Sequence, residues 1–234
     1  MKRIFRVLGV TGAAILVVSA VAAASASAAN PQFVLKEGAF PVNFTSTSGA
    51  GTLQTVGGTT VNCSADTNTG RILNSKDDEV TVTFTGCNAF GFPCTTATQS
   101  SGTIKTKLLK SKLVYNVGKT KVLDLLYPAT EAFPPKAGAE GGVLAEFTCG
   151  GFISVVVRGA VLGEFPTRNV FLHSTSLVLR QTGGNQEFSE YVTEGGETKK
   201  AFLESNSGSG FEKAGEMTTD TITLEGTREV KIEG

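Results

Sequence analysis

Few residues in this chain of 234 are suited to acid–base or nucleophilic chemistry. His173 is the only histidine, so any mechanism that needs an imidazole must use it. A serine hydrolase of the common α/β type would also carry its nucleophile in a G-x-S-x-G turn, and that motif does not occur. The sequence therefore places His173 in a linker and predicts no catalytic residue.

Paired carboxylates are the second option for catalysis, and Glu190 and Glu194 are the best-spaced pair. They could hydrolyse a glycoside if they faced each other across a cleft at about 5 to 9 Å. The Gly195-Gly196 turn follows directly, which predicts an exposed hairpin tip, and exposure seldom raises the pKa of a carboxylic acid. A non-enzymatic protein is favoured, and a hydrolase of unrecognised type stays open as an alternative.

Metal binding has weak support. The segment Asp66-Thr67-Asn68-Thr69-Gly70 resembles the start of a calcium loop, but such a loop has Gly at its sixth position and Gly70 is the fifth. A turn that ends at Gly70 is the favoured interpretation. The single histidine and the absence of a C-x2-C pair argue against zinc. No metal and no cofactor is predicted.

Four lysines lie in a short stretch that contains no acidic residue: Lys105, Lys107, Lys110 and Lys112. In an extended strand Lys105 and Lys107 share one face, and Ile104 and Leu108 share the other. Such a stripe could contact an acidic cell-wall polymer. The favoured interpretation is that the lysines prevent aggregation at a sheet edge.

The first 29 residues have the pattern of a secretory signal peptide. Lys2, Arg3 and Arg6 precede an apolar run at 7–21 and an Ala-rich segment at 22–29. This pattern predicts a helical signal peptide at 1–29 and a mature chain at 30–234. No later apolar run reaches the ~20 residues that span a bilayer. The mature chain is expected to be secreted, in the extracellular space or at the cell envelope, with no transmembrane segment.

An even number of cysteines in an exported chain predicts structural disulfides. The four are Cys63, Cys87, Cys94 and Cys149, which allow three pairings. The Gly and Pro residues between Cys87 and Cys94 favour a bond between these two neighbours. That pairing leaves Cys63 to bond Cys149.

The elements that must position these residues are predicted to be strands. Gly is abundant at 28 residues, Pro is rare at 7, and short β-branched runs recur between turn signals. Residues 80–85 alternate apolar and Thr side chains, residues 102–109 form another predicted strand, and residues 153–157 are apolar on both faces. Hairpins are predicted at Gly183-Gly184-Asn185 and at Gly195-Gly196.

This pattern favours an all-β fold, an antiparallel sandwich or barrel with many short strands. Very little helix is expected after residue 29. The mature chain is interpreted as a single domain, with a possible internal boundary near residues 166–174, where the cysteines end and charges increase.

Composition excludes several binding functions. Removal of Lys2, Arg3 and Arg6 leaves 18 basic and 21 acidic residues, a net charge of −3, which argues against nucleic acid as a partner. A carbohydrate-binding module is disfavoured because the chain has no Trp and only three Tyr. The 14 phenylalanines after residue 29 are assigned to the core.

The cysteine contexts Val61-Asn62-Cys63-Ser64, Phe84-Thr85-Gly86-Cys87, Pro93-Cys94-Thr95 and Phe147-Thr148-Cys149-Gly150-Gly151 resemble a group of uncharacterised secreted proteins of high-GC Gram-positive bacteria. The resemblance covers residues 51–163 and implies secretion and a β-rich domain with disulfides. It implies no activity. The leading hypothesis is a non-enzymatic, secreted or envelope-associated protein that acts by surface contact or as a structural component. Its expected partner is a cell-wall polymer or an envelope protein, and a small-ligand carrier stays open.

Overall fold

A computed structural model describes residues 30–234, and the signal peptide expected at 1–29 lies outside the described residues. The described chain is almost entirely β, as predicted, and its only helix is one 3-10 turn, Gly138–Glu140. The strands, in chain order, are β1 (Gln32–Leu35), β2 (Val42–Ser48), β3 (Gly51–Thr55), β4 (Thr60–Cys63), β5 (Ala65–Ile72), β6 (Asp77–Thr85), β7 (Asn88–Ala89), β8 (Phe92–Thr95), β9 (Ile104–Lys105), β10 (Leu109–Asn116), β11 (Val122–Pro128), β12 (Val143–Cys149), β13 (Ile153–Gly159), β14 (Val161–Glu164), β15 (Ser174–Leu179), β16 (Gln181–Thr182), β17 (Asn185–Gln186), β18 (Glu190–Val192), β19 (Thr198–Lys200), β20 (Leu203–Asn206), β21 (Phe211–Leu224) and β22 (Val230–Glu233).

Eight strands close into an antiparallel barrel, which confirms the predicted fold class. The ring runs β2, β5, β6, β10, β11, β14, β15 and β21, and β21 pairs again with β2. Closure removes the free strand edges that an open sheet would leave.

Alternation along the strands sets what lies inside the barrel. In β6 the apolar side chains of Val80, Val82 and Phe84 face the interior, and the intervening threonines face outward. This strand was predicted at 80–85, and the structure extends it to begin at Asp77.

A second group of strands extends the barrel at the first half of β21. There β21 pairs with β20 and β3, whereas its second half pairs with β2 and β15. The group continues through β4, β7, β8, β12 and β13. The segment 166–174 connects β14 to β15, so the later strands share sheets with the earliest ones.

Two clusters form the apolar core. The larger fills the barrel and extends under the two-stranded sheet β1–β22, where the rings of Phe33 and Phe165 meet edge to face at 6.3 Å. The smaller packs on the outside of β11, whose seven residues are all buried. Burial on both faces was predicted for residues 153–157, but β13 alternates, with Val155 and Val157 buried and their neighbours more exposed.

Other predicted elements differ in extent. Residues 102–109 form the two-residue β9 and then an irregular stretch, which leaves Leu108 exposed. The turn Gly183-Gly184 joins only β16 and β17, while the turn at Gly195-Gly196 joins β18 and β19 as predicted. Among residues 30–234, no helix has the length and apolar character needed to cross a membrane.

Candidate functional site

The four cysteines form two disulfides, Cys63–Cys87 and Cys94–Cys149. The predicted pairing of Cys87 with Cys94, and of Cys63 with Cys149, is therefore wrong. Cys94 lies directly opposite Cys149 in the register of β8 and β12, and β4 pairs with β7 just after Cys87. Each sulfur bonds across to a neighbouring strand, because strand neighbours bring two Cβ atoms within disulfide reach.

Two hairpin turns beside these disulfides carry Phe90, Phe92 and Phe152, here called the phenylalanine tip. Their exposed fractions are 48%, 41% and 67%. The rings of Phe92 and Phe152 meet edge to face with their centroids 5.1 Å apart. A lone exposed apolar side chain is ordinary, whereas rings exposed side by side, as Phe92 and Phe152 are, make a candidate interaction site. The assignment of all mature phenylalanines to the core is therefore wrong for these three.

Gly150 fixes how the two rings meet. A Cβ atom at this position would lie 2.6 Å from the Phe152 ring and 3.0 Å from the Phe92 ring. The backbone φ of Gly150 is +65°, a conformation that glycine adopts without strain. Glycine therefore allows both rings to cover the β12–β13 turn.

The turn between β7 and β8 is unusual in sequence. Phe90 and Gly91 have φ values of +56° and +81°, which is typical of a type I′ turn. The first position of this turn favours Asn, Asp or Gly, and a bulky residue there costs on the order of 1 kcal/mol. Turn geometry does not favour Phe90, so backbone strain at an exposed ring points to a role for that ring.

The tip belongs to chain segments that carry no charge. Residues 80–104 and 147–157 contain no Asp, Glu, Lys, Arg or His. The backbone around the tip is also hydrogen-bonded internally: Cys94 N–H donates to Cys87 C=O at 2.9 Å, and Gly150 N–H donates to Pro93 C=O at 3.0 Å. The desolvation cost of this surface is therefore low.

A polar cluster lies inside the barrel, where the sequence predicted a turn or a calcium loop. Residues 66–70 are part of strand β5, so both predictions are wrong. Asp66 and Asn68 face inward because strand alternation puts them on the same side, and Thr67 and Thr69 are exposed.

Asn68 connects the polar side chains of this cluster by hydrogen bonds. Its Nδ2 lies 2.7 Å from Asp220 Oδ1, 3.0 Å from Asp66 Oδ1 and 2.6 Å from Ser46 Oγ, and its two N–H groups donate to these three acceptors, so one N–H is shared. Asp66, Asp220 and the nearby Glu216 are here called the carboxyl cluster. Asn68 Oδ1 is buried and has no hydrogen-bond partner, and an unpaired buried acceptor costs about 1 to 3 kcal/mol.

Burial shifts the pKa values of these acids. Burial raises the pKa of Asp220 to about 8, helped by the charge of Asp66 and a hydrogen bond with it. Burial also raises the pKa of the Glu216 carboxyl group to about 7. The residue as a whole is half-buried, and its carboxyl group lies in the interior. The low-dielectric interior disfavours the charged form, so these carboxyls hold protons near neutral pH.

Asp78 and Asp124 form a second buried carboxyl pair on β6 and β11. Burial raises the pKa of Asp124 to about 7, and burial together with the charge of Asp124 raises the pKa of Asp78 well above its usual value. Asp124 Oδ1 has no hydrogen-bond partner. Asp78 and Asp124 line the same cavity as the carboxyl cluster, a space of about 140 Å³ with otherwise mainly apolar walls.

The lysines of the predicted stripe do not form one continuous positive surface. Lys112 pairs with Asp77 at 2.9 Å and its Nζ lies 5.0 Å from the centre of the Phe133 ring. Lys107 pairs with Glu146 at 2.8 Å. Lys105 lies on β9, whereas Lys110 lies on β10, which has partners on both sides. The prediction of an edge strand is therefore wrong for Lys110 and Lys112.

The residues considered for catalysis are not brought together. His173 is exposed just before β15, and its Nδ1 lies 2.9 Å from Arg228 C=O. Glu194 pairs with Lys76 at 3.0 Å near the β18–β19 turn, and Glu190 is exposed on β18. Ser174, next to His173, donates its hydroxyl to Ile222 C=O at 2.9 Å.

No group of three or more His, Cys, Asp or Glu residues within 30–234 is arranged to hold a metal ion. The carboxyl cluster and the phenylalanine tip were both missed by sequence reasoning. The tip could have been found in the sequence, because Phe90-Gly91 occupies a turn position where Asn-Gly is the usual pair.

Comparison with known proteins gives no match: no family model fits the chain, and no curated protein or solved structure is significantly similar to it. Function must therefore be argued from the sites themselves.

Proposed function

We propose that the protein is a non-enzymatic exported protein that acts by surface contact with the cell envelope, inserting the phenylalanine tip into its lipid. The observation that carries this proposal is the tip itself: three exposed rings on two turns that both disulfides hold in place. Two disulfides are also consistent with an oxidising compartment outside the cytoplasm.

The size of the tip favours lipid over a protein partner. A Phe side chain presents roughly 150 to 250 Å², so the three partly exposed rings offer about 300 Å². A stable protein–protein interface needs about 800 Å² on each side. Insertion of a few rings into a bilayer surface needs no such area, and burying about 300 Å² yields up to roughly 7 kcal/mol before association costs.

The absence of charge defines the kind of contact. A polybasic surface is attracted to anionic lipid, and that attraction falls as salt rises. The tip segments carry neither basic nor acidic groups, so their contact is hydrophobic and independent of the lipid headgroup charge. The internally bonded backbone also leaves few polar groups to desolvate at the turns.

Vesicle flotation tests this proposal. The purified, oxidised protein is expected to float with phosphatidylcholine vesicles in both 0.05 and 0.5 M NaCl, values chosen to span strong and weak screening at roughly 14 and 4 Å. Phe152→Ser should weaken binding by about tenfold or more, since Phe152 is the most exposed of the three rings. Val117→Ser is the matched control, because Val117 is 52% exposed at a different hairpin turn.

Two outcomes would overturn the proposal. One is no flotation with any vesicle. The other is retention on insoluble cell-wall material that Lys105→Ala with Lys107→Ala abolishes and Phe152→Ser leaves unchanged, which would assign the contact to the lysines and a wall polymer.

A further inference from the structure

The cavity inside the barrel is lined by acidic side chains, which have no role in the proposed surface contact. Its lining contains five carboxyl side chains and no Lys or Arg, with His173 as its only other ionisable group. The five are Asp66, Asp78, Asp124, Glu216 and Asp220. Such a lining disfavours anions and favours a positively charged occupant.

The orientation of the Asn68 side chain is fixed by its neighbours. Its Nδ2 donates to the carboxyl groups of Asp66 and Asp220, and when these are ionised, as a bound cation requires, exchange of the amide N and O would place an acceptor against both. Oδ1 must therefore remain an acceptor. Asn68 is 6% exposed and lines the cavity, yet Oδ1 has no donor among residues 30–234.

Asp124 repeats this feature on β11, which is three strands from β5 around the barrel. It is 3% exposed, it lines the cavity, and its Oδ1 has no partner within the described chain. A third group that lines the cavity, the Thr175 hydroxyl, also has no partner within the described chain, and a hydroxyl can both donate and accept. The amide oxygen of Asn68 and an ionised Asp124 carboxylate can only accept, so an occupant must offer them a donor.

We propose that the barrel interior binds a small organic ammonium ion, whose N–H groups donate to Asn68 Oδ1 and to the carboxylates of Asp66 and Asp220. Its apolar part lies against Phe44 on β2 and Leu177 on β15, which line the same cavity. Leu177 is directly opposite Asp220 in the register of β15 and β21, so an apolar wall adjoins the charged end.

The cavity volume limits the size of this ligand. A dry protein cavity of about 150 Å³ holds one benzene molecule. The 140 Å³ here suits a small ammonium ion, for which benzylammonium, a single aromatic ring with one CH2 and an ammonium group, is the upper limit, and it excludes a lipid chain.

Binding of a cation is coupled to the protons of the cavity. Glu216 and Asp220 on β21 have raised pKa values, as do Asp124 on β11 and Asp78 on β6. On the two strands that flank β21, the residues beside Asp220 are Ser46 on β2 and Leu177 on β15, and neither carries a charge. A bound ammonium ion favours the ionised carboxylates, so affinity should rise as the pH increases from 6 to 8.5, roughly the range set by these pKa values.

Calorimetric titration of the intact, oxidised protein with benzylamine tests the proposal, with benzyl alcohol as the uncharged analogue. After overnight equilibration at about pH 8, we expect benzylammonium to bind at least about tenfold more tightly than the alcohol. Asp220→Asn should weaken amine binding about tenfold. This variant is expected to fold, because asparagine has the same shape as aspartate and does not place a charge in the barrel interior. Glu190→Gln, which removes an exposed acid, should leave binding unchanged, and so should Phe152→Ser at the tip.

Three results would contradict the proposal. Equal affinity for amine and alcohol would mean that the cavity is only apolar. An equal loss in Asp220→Asn and Glu190→Gln would mean that the amine binds the acidic surface. A crystal structure of the protein soaked in benzylamine that shows only water at Asn68 Oδ1 would identify solvent as the donor.

Discussion

Asn68 and Asp220 share a 2.7 Å hydrogen bond inside the barrel, although they are 152 positions apart in the chain. Their strands β5 and β21 both flank β2, so the two side chains meet over Ser46 in the interior. The barrel thus encloses groups that prefer water, and their protonation is coupled to folding.

Stability should fall as the pH rises from 5 to 8.5. Burial raises the pKa of Asp220 to about 8 and that of Asp124 to about 7, so between their unfolded and folded pKa values the folded state binds more protons. More protons on the folded state means that the free energy of unfolding decreases with pH, here by about 3 kcal/mol or more. Urea unfolding at several pH values measures this.

Asp220→Asn provides the control for that pH profile. The amide does not ionise, so the variant should be more stable than the parent at pH 8.5 and its profile should be flatter. A free energy of unfolding that stays constant or rises between pH 5 and 8.5 in the parent would contradict the buried, protonated state of these acids.

The two disulfides should stabilise the fold by different amounts. The cross-linked residues are 24 positions apart in Cys63–Cys87 and 55 in Cys94–Cys149. In the chain-entropy model these loops correspond to about 3.5 and about 4 kcal/mol. Chemical denaturation of the Cys63→Ala/Cys87→Ala and Cys94→Ala/Cys149→Ala double variants should show losses of that size. Peptide mapping without reduction checks the pairing, and a Cys87–Cys94 peptide would disprove it.

Gly150→Ala should destabilise the protein more than Gly151→Ala. Both glycines have positive φ, so each alanine costs on the order of 1 kcal/mol in backbone strain. At Gly150 the new methyl group would also press on the Phe92 and Phe152 rings, whereas no atom lies within 4 Å of a Cβ at Gly151. Melting temperatures of the two variants compare them, and equal losses would mean that the two rings do not cover Gly150.

Lys112→Ala should cost more stability than Lys105→Ala. Lys112 is largely buried, pairs with Asp77 at 2.9 Å and lies over Phe133, so its removal should cost about 1 kcal/mol. Lys105 is exposed, and its removal should cost less than about 0.5 kcal/mol. Urea unfolding of both variants distinguishes them. Equal effects would mean that the Lys112 contacts do not stabilise the folded state.

The fold class could be predicted from local patterns. Strand β6 could be predicted because Val80, Val82 and Phe84 alternate with threonines. The Gly195-Gly196 turn could be predicted because glycine tolerates positive φ. Closure into a barrel depends on pairings such as β21 with β2, which join residues far apart in the chain. Local patterns carry no information on such pairings.

The interior polar groups could not be predicted for the same reason. Asp66 and Asn68 look like turn residues, since isolated Asp and Asn favour turns. Their partner Asp220 lies on a distant strand, and only the closed barrel puts the three side chains in contact. The disulfide pairing was likewise decided by strand neighbours rather than by the short loop between Cys87 and Cys94.

The central claim is that the phenylalanine tip enters lipid, and a single tryptophan tests it most directly because the chain contains none. Phe152→Trp places this reporter at the tip, and Val117→Trp places it at an exposed turn elsewhere. With phosphatidylcholine vesicles, Phe152→Trp should show a blue-shifted emission that brominated lipid quenches, and Val117→Trp should show neither effect. Emission from Phe152→Trp that does not change with lipid, or that changes no more than emission from Val117→Trp, would contradict the claim.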